Sequence, residues 1–227
     1  KQRPILNIIL LLIFVPMLTF FFEPRPQIIT FLLLSVIAFI TMLIQKDEKH
    51  IKLIYLFPII TLITSNIHGG TLLQYFVFLL LLILTNSFSE FIKKINNPTE
   101  KMNLNVVKHL TLSMIIGFIT SLINPYGLKI YEYALKILPA KDVTGAIMEW
   151  QPLLKGDGIL DVFKIVIVIS PLLVSIVNRK RLKIVDFVVM VYAVVMPFVY
   201  LRLYPFFVII NLIYFSDIYR YFRFYGK

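Results

Sequence analysis

Apolar residues in this chain come in blocks rather than in stripes. Eight blocks stand out, at residues 5–22, 27–44, 53–67, 71–88, 109–123, 161–177, 184–200 and 203–219. Their lengths approach the ~20 residues that an α-helix needs to cross the hydrocarbon core of a bilayer. Several fall short, so tilt or partial burial is expected of them. Backbone polar groups find no water in hydrocarbon, and an open strand edge would leave them unpaired, so the blocks read as helices. The two-residue alternation of a membrane β-barrel does not occur. Between the blocks, LKIYEYALKIL (128–138) sets apolar and polar residues at helical spacing and predicts a helix lying in the membrane interface. KGDGILD (155–161) predicts a turn before the sixth block, and SEFIKKINNPTEKMNLNVVK (89–108) reads as a linker. The expected fold class is all-α: a polytopic transmembrane helix bundle of about eight membrane helices plus an interfacial helix, with 1–227 as a single transmembrane domain.

Composition agrees with this. Charged residues make up 15% of the 227 residues, against about 25% in soluble domains, and the mean hydropathy is +0.87. Cysteine is absent from the sequence, which excludes disulfides and thiolate metal sites. The chain begins at Lys1 rather than Met, and no small-residue cleavage site follows the first block. It is expected to be the C-terminal part of a longer membrane protein.

The net charge of +11 changes the picture only through its distribution. Sixteen of the 23 Lys and Arg residues lie in the N-terminal segment, the 45–52, 89–108 and 178–183 connections and the C-terminal tail. Six lie in the alternate connections: Arg25, Lys129, Lys136, Lys141, Lys155 and Arg202. Lys164 falls inside a block, where its long stem predicts snorkelling. Lys and Arg collect on the cytoplasmic side of membrane proteins and face anionic lipid there. Eight spans in the cytoplasmic (inner) membrane with both termini inside are therefore expected. Membrane lipid is the implied partner, and nucleic acid is not.

This topology puts the unusual polar motifs together on the extracytoplasmic side. In EPRPQ (23–27), Pro24 and Pro26 end one helix and start the next, while Arg25 is the only basic residue of its loop and could bind phosphate. In SNIHGG (65–70), Gly69 and Gly70 allow a tight turn or close backbone approach. His68 is either a hydrogen-bonded structural residue or a proton carrier. The other histidines, His50 and His109, sit near the opposite ends of their blocks, which argues against a multi-histidine metal site. NPYG (124–127) is a turn and helix-stop signal. In MEWQP (148–152), Glu149 stands beside the only tryptophan, Trp150, a pairing that suits an interface or a sugar. Arg202 needs a partner near the membrane, either a carboxylate such as Glu149 or an anionic ligand. P-loop, dinucleotide-glycine and HExxH motifs are missing from the sequence.

The order of these motifs carries more than any one of them. Arg25-Pro26-Gln27, Asn66-Ile67-His68-Gly69-Gly70, Asn124-Pro125-Tyr126-Gly127, Glu149-Trp150-Gln151 and Arg202 ahead of Pro205-Phe206 resemble the C-terminal part of bacterial polytopic membrane proteins related to the GT-C (C-type) glycosyltransferases. The resemblance covers about residues 23–210, with Thr71 where the relatives tend to have Phe. It implies transfer of a sugar from a polyprenyl-phosphate donor to an acceptor on the extracytoplasmic face. The implied substrate-binding residues are Arg25, Gln27, Asn66, His68, Gly69, Gly70, Asn124, Tyr126, Glu149, Trp150 and Arg202, gathered around one outward-facing cavity. The acidic catalytic loop of such enzymes has no counterpart here and is expected upstream of Lys1. No cofactor is assigned to this chain, and any divalent metal is left to that upstream part. The alternatives are a non-catalytic subunit or scaffold of a membrane complex and, third, a transporter. The transporter reading suffers because polar residues cluster at one surface rather than at the bilayer midplane.

Overall fold

The computed structural model describes residues 25–99, 101–137, 148–154, 158–177 and 182–218, together with Leu12 and Leu18. Among these residues every regular element is helical. The α-helices are α1 (Gln27–Lys46), α2 (Phe57–Ile67), α3 (Leu72–Asn96), α4 (Asn105–Ser121), α5 (Lys129–Ile137), α6 (Ile159–Val177), α7 (Ile184–Val199) and α8 (Tyr204–Ile218). Short 3-10 helices cover Glu48–Leu56, Gly69–Thr71, Met148–Trp150 and Leu201–Leu203. Three helical runs, Gln27–Lys46, Glu48–Ile67 and Gly69–Asn96, are long and apolar enough to cross a membrane. Apart from Leu12 and Leu18, the first apolar block (5–22) lies outside the described residues. So do 155–157 of the expected turn, most of the 178–183 loop and the C-terminal tail.

The chain divides into two compact units, Pro26–Pro139 and Arg25 with the described residues after Ala140. In the first, Pro26 takes φ −54° and ψ −25° as the N-cap of α1. Its ring presets the helical φ, and its missing N–H would have had no helical partner there. Asp47 stops α1 in an extended conformation, accepts the Lys49 N–H at 3.0 Å and starts the 3-10 helix Glu48–Leu56. Its hydrogen bonds from Lys49 hold the Asp47 carboxyl below the usual carboxylate value. Pro58 near the start of α2 repeats the N-terminal use of proline.

The seam between α2 and α4 is built from small and hydroxyl-bearing residues. Ser113, Gly117 and Ser121 recur every four residues along α4, and all are buried. Such a stripe lets two helix backbones approach, as is common where lipid offers no hydrophobic drive for helix association. The Ser113 hydroxyl donates to Ile54 O at 2.7 Å. Thr61 donates to Gly117 O at 2.9 Å, and Thr120 to Pro58 O at 2.8 Å. Aromatic contacts link the same helices to α3 and α5: Phe57–Phe76 at 5.5 Å and Phe76–Phe118 at 6.3 Å between centroids, both edge-on, and Phe118–Tyr131 at 5.5 Å with the rings tilted.

α5 is the amphipathic helix the sequence predicts. Tyr133 and Leu135 are exposed, Lys136 and Glu132 pair at 3.8 Å, and the Tyr131 and Ser121 hydroxyls meet at 2.5 Å. The 89–108 linker is corrected in part. α3 continues through residues 89–96, and Glu90 then accepts the Asn103 N–H at 2.8 Å while Asn103 donates to Glu48 at 3.0 Å.

In the second unit, α6 carries an internal Pro171. Proline has no N–H for the carbonyl four residues back. The Ser170 hydroxyl donates to that carbonyl, Ile167 O, at 2.9 Å. Lys164 is paired with Asp161 one turn earlier at 2.8 Å. α7 and α8 bury Val189, Met190, Ala193 and Phe207, with Tyr192 edge-on to Phe206 at 5.5 Å.

Candidate anion-binding turn

Met148–Trp150 is one short turn, and the backbone fixes where it sits. A helix leaves its last carbonyls without partners inside the helix. At the end of α7, the Leu153 N–H takes Pro197 O at 3.2 Å, and Gln151 O in return accepts the Leu201 N–H at 2.8 Å. Leu153 is fully buried, so the strap is anchored by an apolar plug as well. Trp150 then packs edge-on to Tyr200 at 5.6 Å. The Arg202 guanidinium lies 4.8 Å from the centre of the Trp150 ring. Such a cation over an indole contributes about 0.5–1 kcal/mol in water and ~2 kcal/mol or more when dry.

Glu149, the residue before Trp150, accepts a hydrogen bond from the Arg25 guanidinium and forms an ion pair with it. The Arg25 side chain is 45% exposed and that of Glu149 20%. A pair so open to solvent contributes about 0–1 kcal/mol after screening. Two consecutive residues of one turn thus each engage an arginine, Arg25 at position 149 and Arg202 at position 150. The sequence offered Arg202 either Glu149 or an anionic ligand as its partner, and Glu149 pairs with Arg25, which the sequence had assigned to the ligand's phosphate.

The remaining expected site residues belong to the other unit. Gln27 opens α1 and is buried. Asn66, at the end of α2, donates to Leu62 O at 2.9 Å and to Ile123 O at 2.8 Å, which ties the ends of α2 and α4 together. Asn124 donates to Ser121 O at 2.7 Å and accepts the Tyr126 N–H at 2.7 Å, a side-chain-mimicked turn closed by Gly127 at φ 53°. Tyr126 is exposed. His68 caps α2 through its N–H to Thr64 O at 2.9 Å, with its side chain half-buried. Gly69 has a packing reason: a Cβ there would lie 2.1 Å from Ile130 of α5. Gly70 is exposed.

Sequence reasoning missed two groups. Tyr200 supplies one wall around Trp150, and only its place next to the Arg202 loop hinted at it. At the shared end of α1, α2 and α3, the Tyr75 hydroxyl donates to Thr30 O and lies close to the Thr64 and Thr71 hydroxyls. There Gln27 Nε2 and Thr64 Oγ1 are buried without a hydrogen-bond partner. Among the described residues no group of three or more His, Asp or Glu could hold a metal ion.

No family model, curated protein or solved structure matches this chain.

Proposed function

We propose that this chain is the C-terminal part of a glycosyltransferase-like membrane protein of the GT-C type, with eight spans and both ends of the segment in the cytoplasm. Its part in the reaction is to hold a polyprenyl-phosphate-linked sugar at the extracytoplasmic face of the cytoplasmic membrane. The observation that carries this reading is the Met148–Trp150 turn with an arginine on each of two consecutive residues. Guanidinium forks match phosphate oxygens in pairs, and an indole face beside a carboxylate suits a sugar ring with its hydroxyls. Catalytic acid–base chemistry and any divalent metal belong to the upstream part of the protein in this reading.

The test is a titration of the full-length protein in nanodiscs with a polyprenyl-phosphate sugar. A hydrogen bond to a charged group is worth about 1.5–3 kcal/mol, so Arg202→Ala is expected to weaken binding roughly tenfold to hundredfold. Arg202→Lys keeps the charge but not the planar fork and should fall between. Unchanged affinity in both Arg202→Ala and Arg25→Ala would favour the second reading, a non-catalytic membrane subunit. That alternative draws support from Asn66, Asn124 and Gly69, whose hydrogen bonds and packing serve helix ends.

A further inference from the structure

We propose that Glu149 occupies, on Arg25, the position of the ligand's phosphate, so that the Arg25–Glu149 pair is a latch the anion must open. This rests on the phosphate-binding reading above. A carboxylate and a phosphate compete for the same planar fork of N–H donors. Glu149 is the fixed half of the pair. The backbone bonds from Leu153 to Pro197 and from Leu201 to Gln151 hold its turn against α7. Trp150 next to it is in contact with both Tyr200 and Arg202. Arg25 is the more exposed half, at 45% against 20% for Glu149, and it is the half that turns toward an arriving anion. An ion pair this exposed is weak, so exchanging one oxyanion for another costs little. Once released, the Glu149 carboxylate stays beside the indole and is free to accept a hydroxyl of the sugar that the phosphate carries.

The latch predicts the sign of an effect. If Glu149 competes with the ligand, Glu149→Gln removes the competitor and tightens phosphate binding. If Glu149 instead orients Arg25 for the ligand, the same change weakens it. The probe is a polyprenyl monophosphate without sugar, titrated against the full-length protein in nanodiscs of zwitterionic lipid, with inorganic phosphate as a second arm. Glu149→Gln is expected to bind about twofold to fivefold tighter, the range that an exposed ion pair represents. Glu149→Asp, which keeps the charge but draws it back by one methylene, should show a smaller gain and serves if the Gln variant fails to fold. A gain in the lipid arm alone assigns the phosphate to a lipid headgroup, and a gain in both arms assigns it to phosphate from either source. Either result supports the latch. Equal or weaker binding by the Glu149 variants, with Arg25→Ala and Arg202→Ala weakened, overturns the latch and leaves the phosphate site standing. No effect of any of the four variants overturns the phosphate site itself, and the latch with it.

Discussion

A methyl group on Gly117 would sit 2.7 Å from the Phe57 ring, closer than two carbons can approach. The clash is with a fully buried aromatic, so the ring has little room to retreat. Gly117→Ala is therefore expected to cost about 1–3 kcal/mol, the usual range for overpacking a filled core. The measurement is the thermal midpoint of unfolding in detergent, and adding Phe57→Leu should recover part of the loss. A Gly117→Ala protein as stable as the parent would refute the close-packed seam. The same scale shows what sequence can and cannot reveal about a glycine. SNIHGG offered a tight turn or a close backbone approach at residues 69–70 without saying what would approach, and at Gly69 the Ile130 side chain comes close. Gly117, inside an apolar block, gave no such signal, because only the pairing of α2 with α4 makes its smallness matter.

Elements were legible in position but not in extent. Hydropathy marks where a helix can contact lipid, whereas hydrogen bonding decides where it stops. α3 therefore runs on to Asn96 past the apolar block, through Glu90 and Lys93, which pair one turn apart. The chain before α2 is already wound as a 3-10 helix from Glu48, although its apolar block begins at Leu53. Pro171 lies inside the 161–177 block, and α6 runs through it as that block predicts, with the Ser170 hydroxyl serving the carbonyl that proline abandons. Ser170→Ala should leave Ile167 O unmet and lower stability by about 1 kcal/mol, while Ser170→Thr should be close to neutral. If Ser170→Ala unfolds at the parent's midpoint, the hydroxyl is not what holds α6 together across the proline.

Over the whole molecule, the Lys and Arg distribution sets an expectation that an apolar count alone does not: alternate connections lie on opposite sides of the membrane. Asn97 follows α3 and Tyr126 follows α4, so cysteines introduced at these two positions should react with a membrane-impermeant reagent from opposite sides. Labelling of both from one side would remove α4 as a span. Long-range pairings are the part of the candidate site that no local pattern encodes. Arg25 and Glu149 are separated by 124 positions, and nothing near either residue distinguishes an ion pair from a ligand contact. Counting crossings leads to the expectation that both lie on one face, but only the folded chain brings the two side chains together. Asn66 and Asn124 illustrate the converse. Their motifs were conspicuous, and their amides nonetheless serve the backbone at the ends of α2 and α4.

The protein has one tryptophan, and it sits under the Arg202 guanidinium and against Tyr200. Excited at the red edge of the indole absorption band, where its 12 tyrosines do not absorb, the chain therefore emits from a single ring at the candidate site. A cation stacked on an indole alters the energy of its excited state, and drawing Arg202 away toward an anion would change the colour and intensity of that light. The unlabelled protein can thus report optically, and in real time, on what happens at the Met148–Trp150 turn.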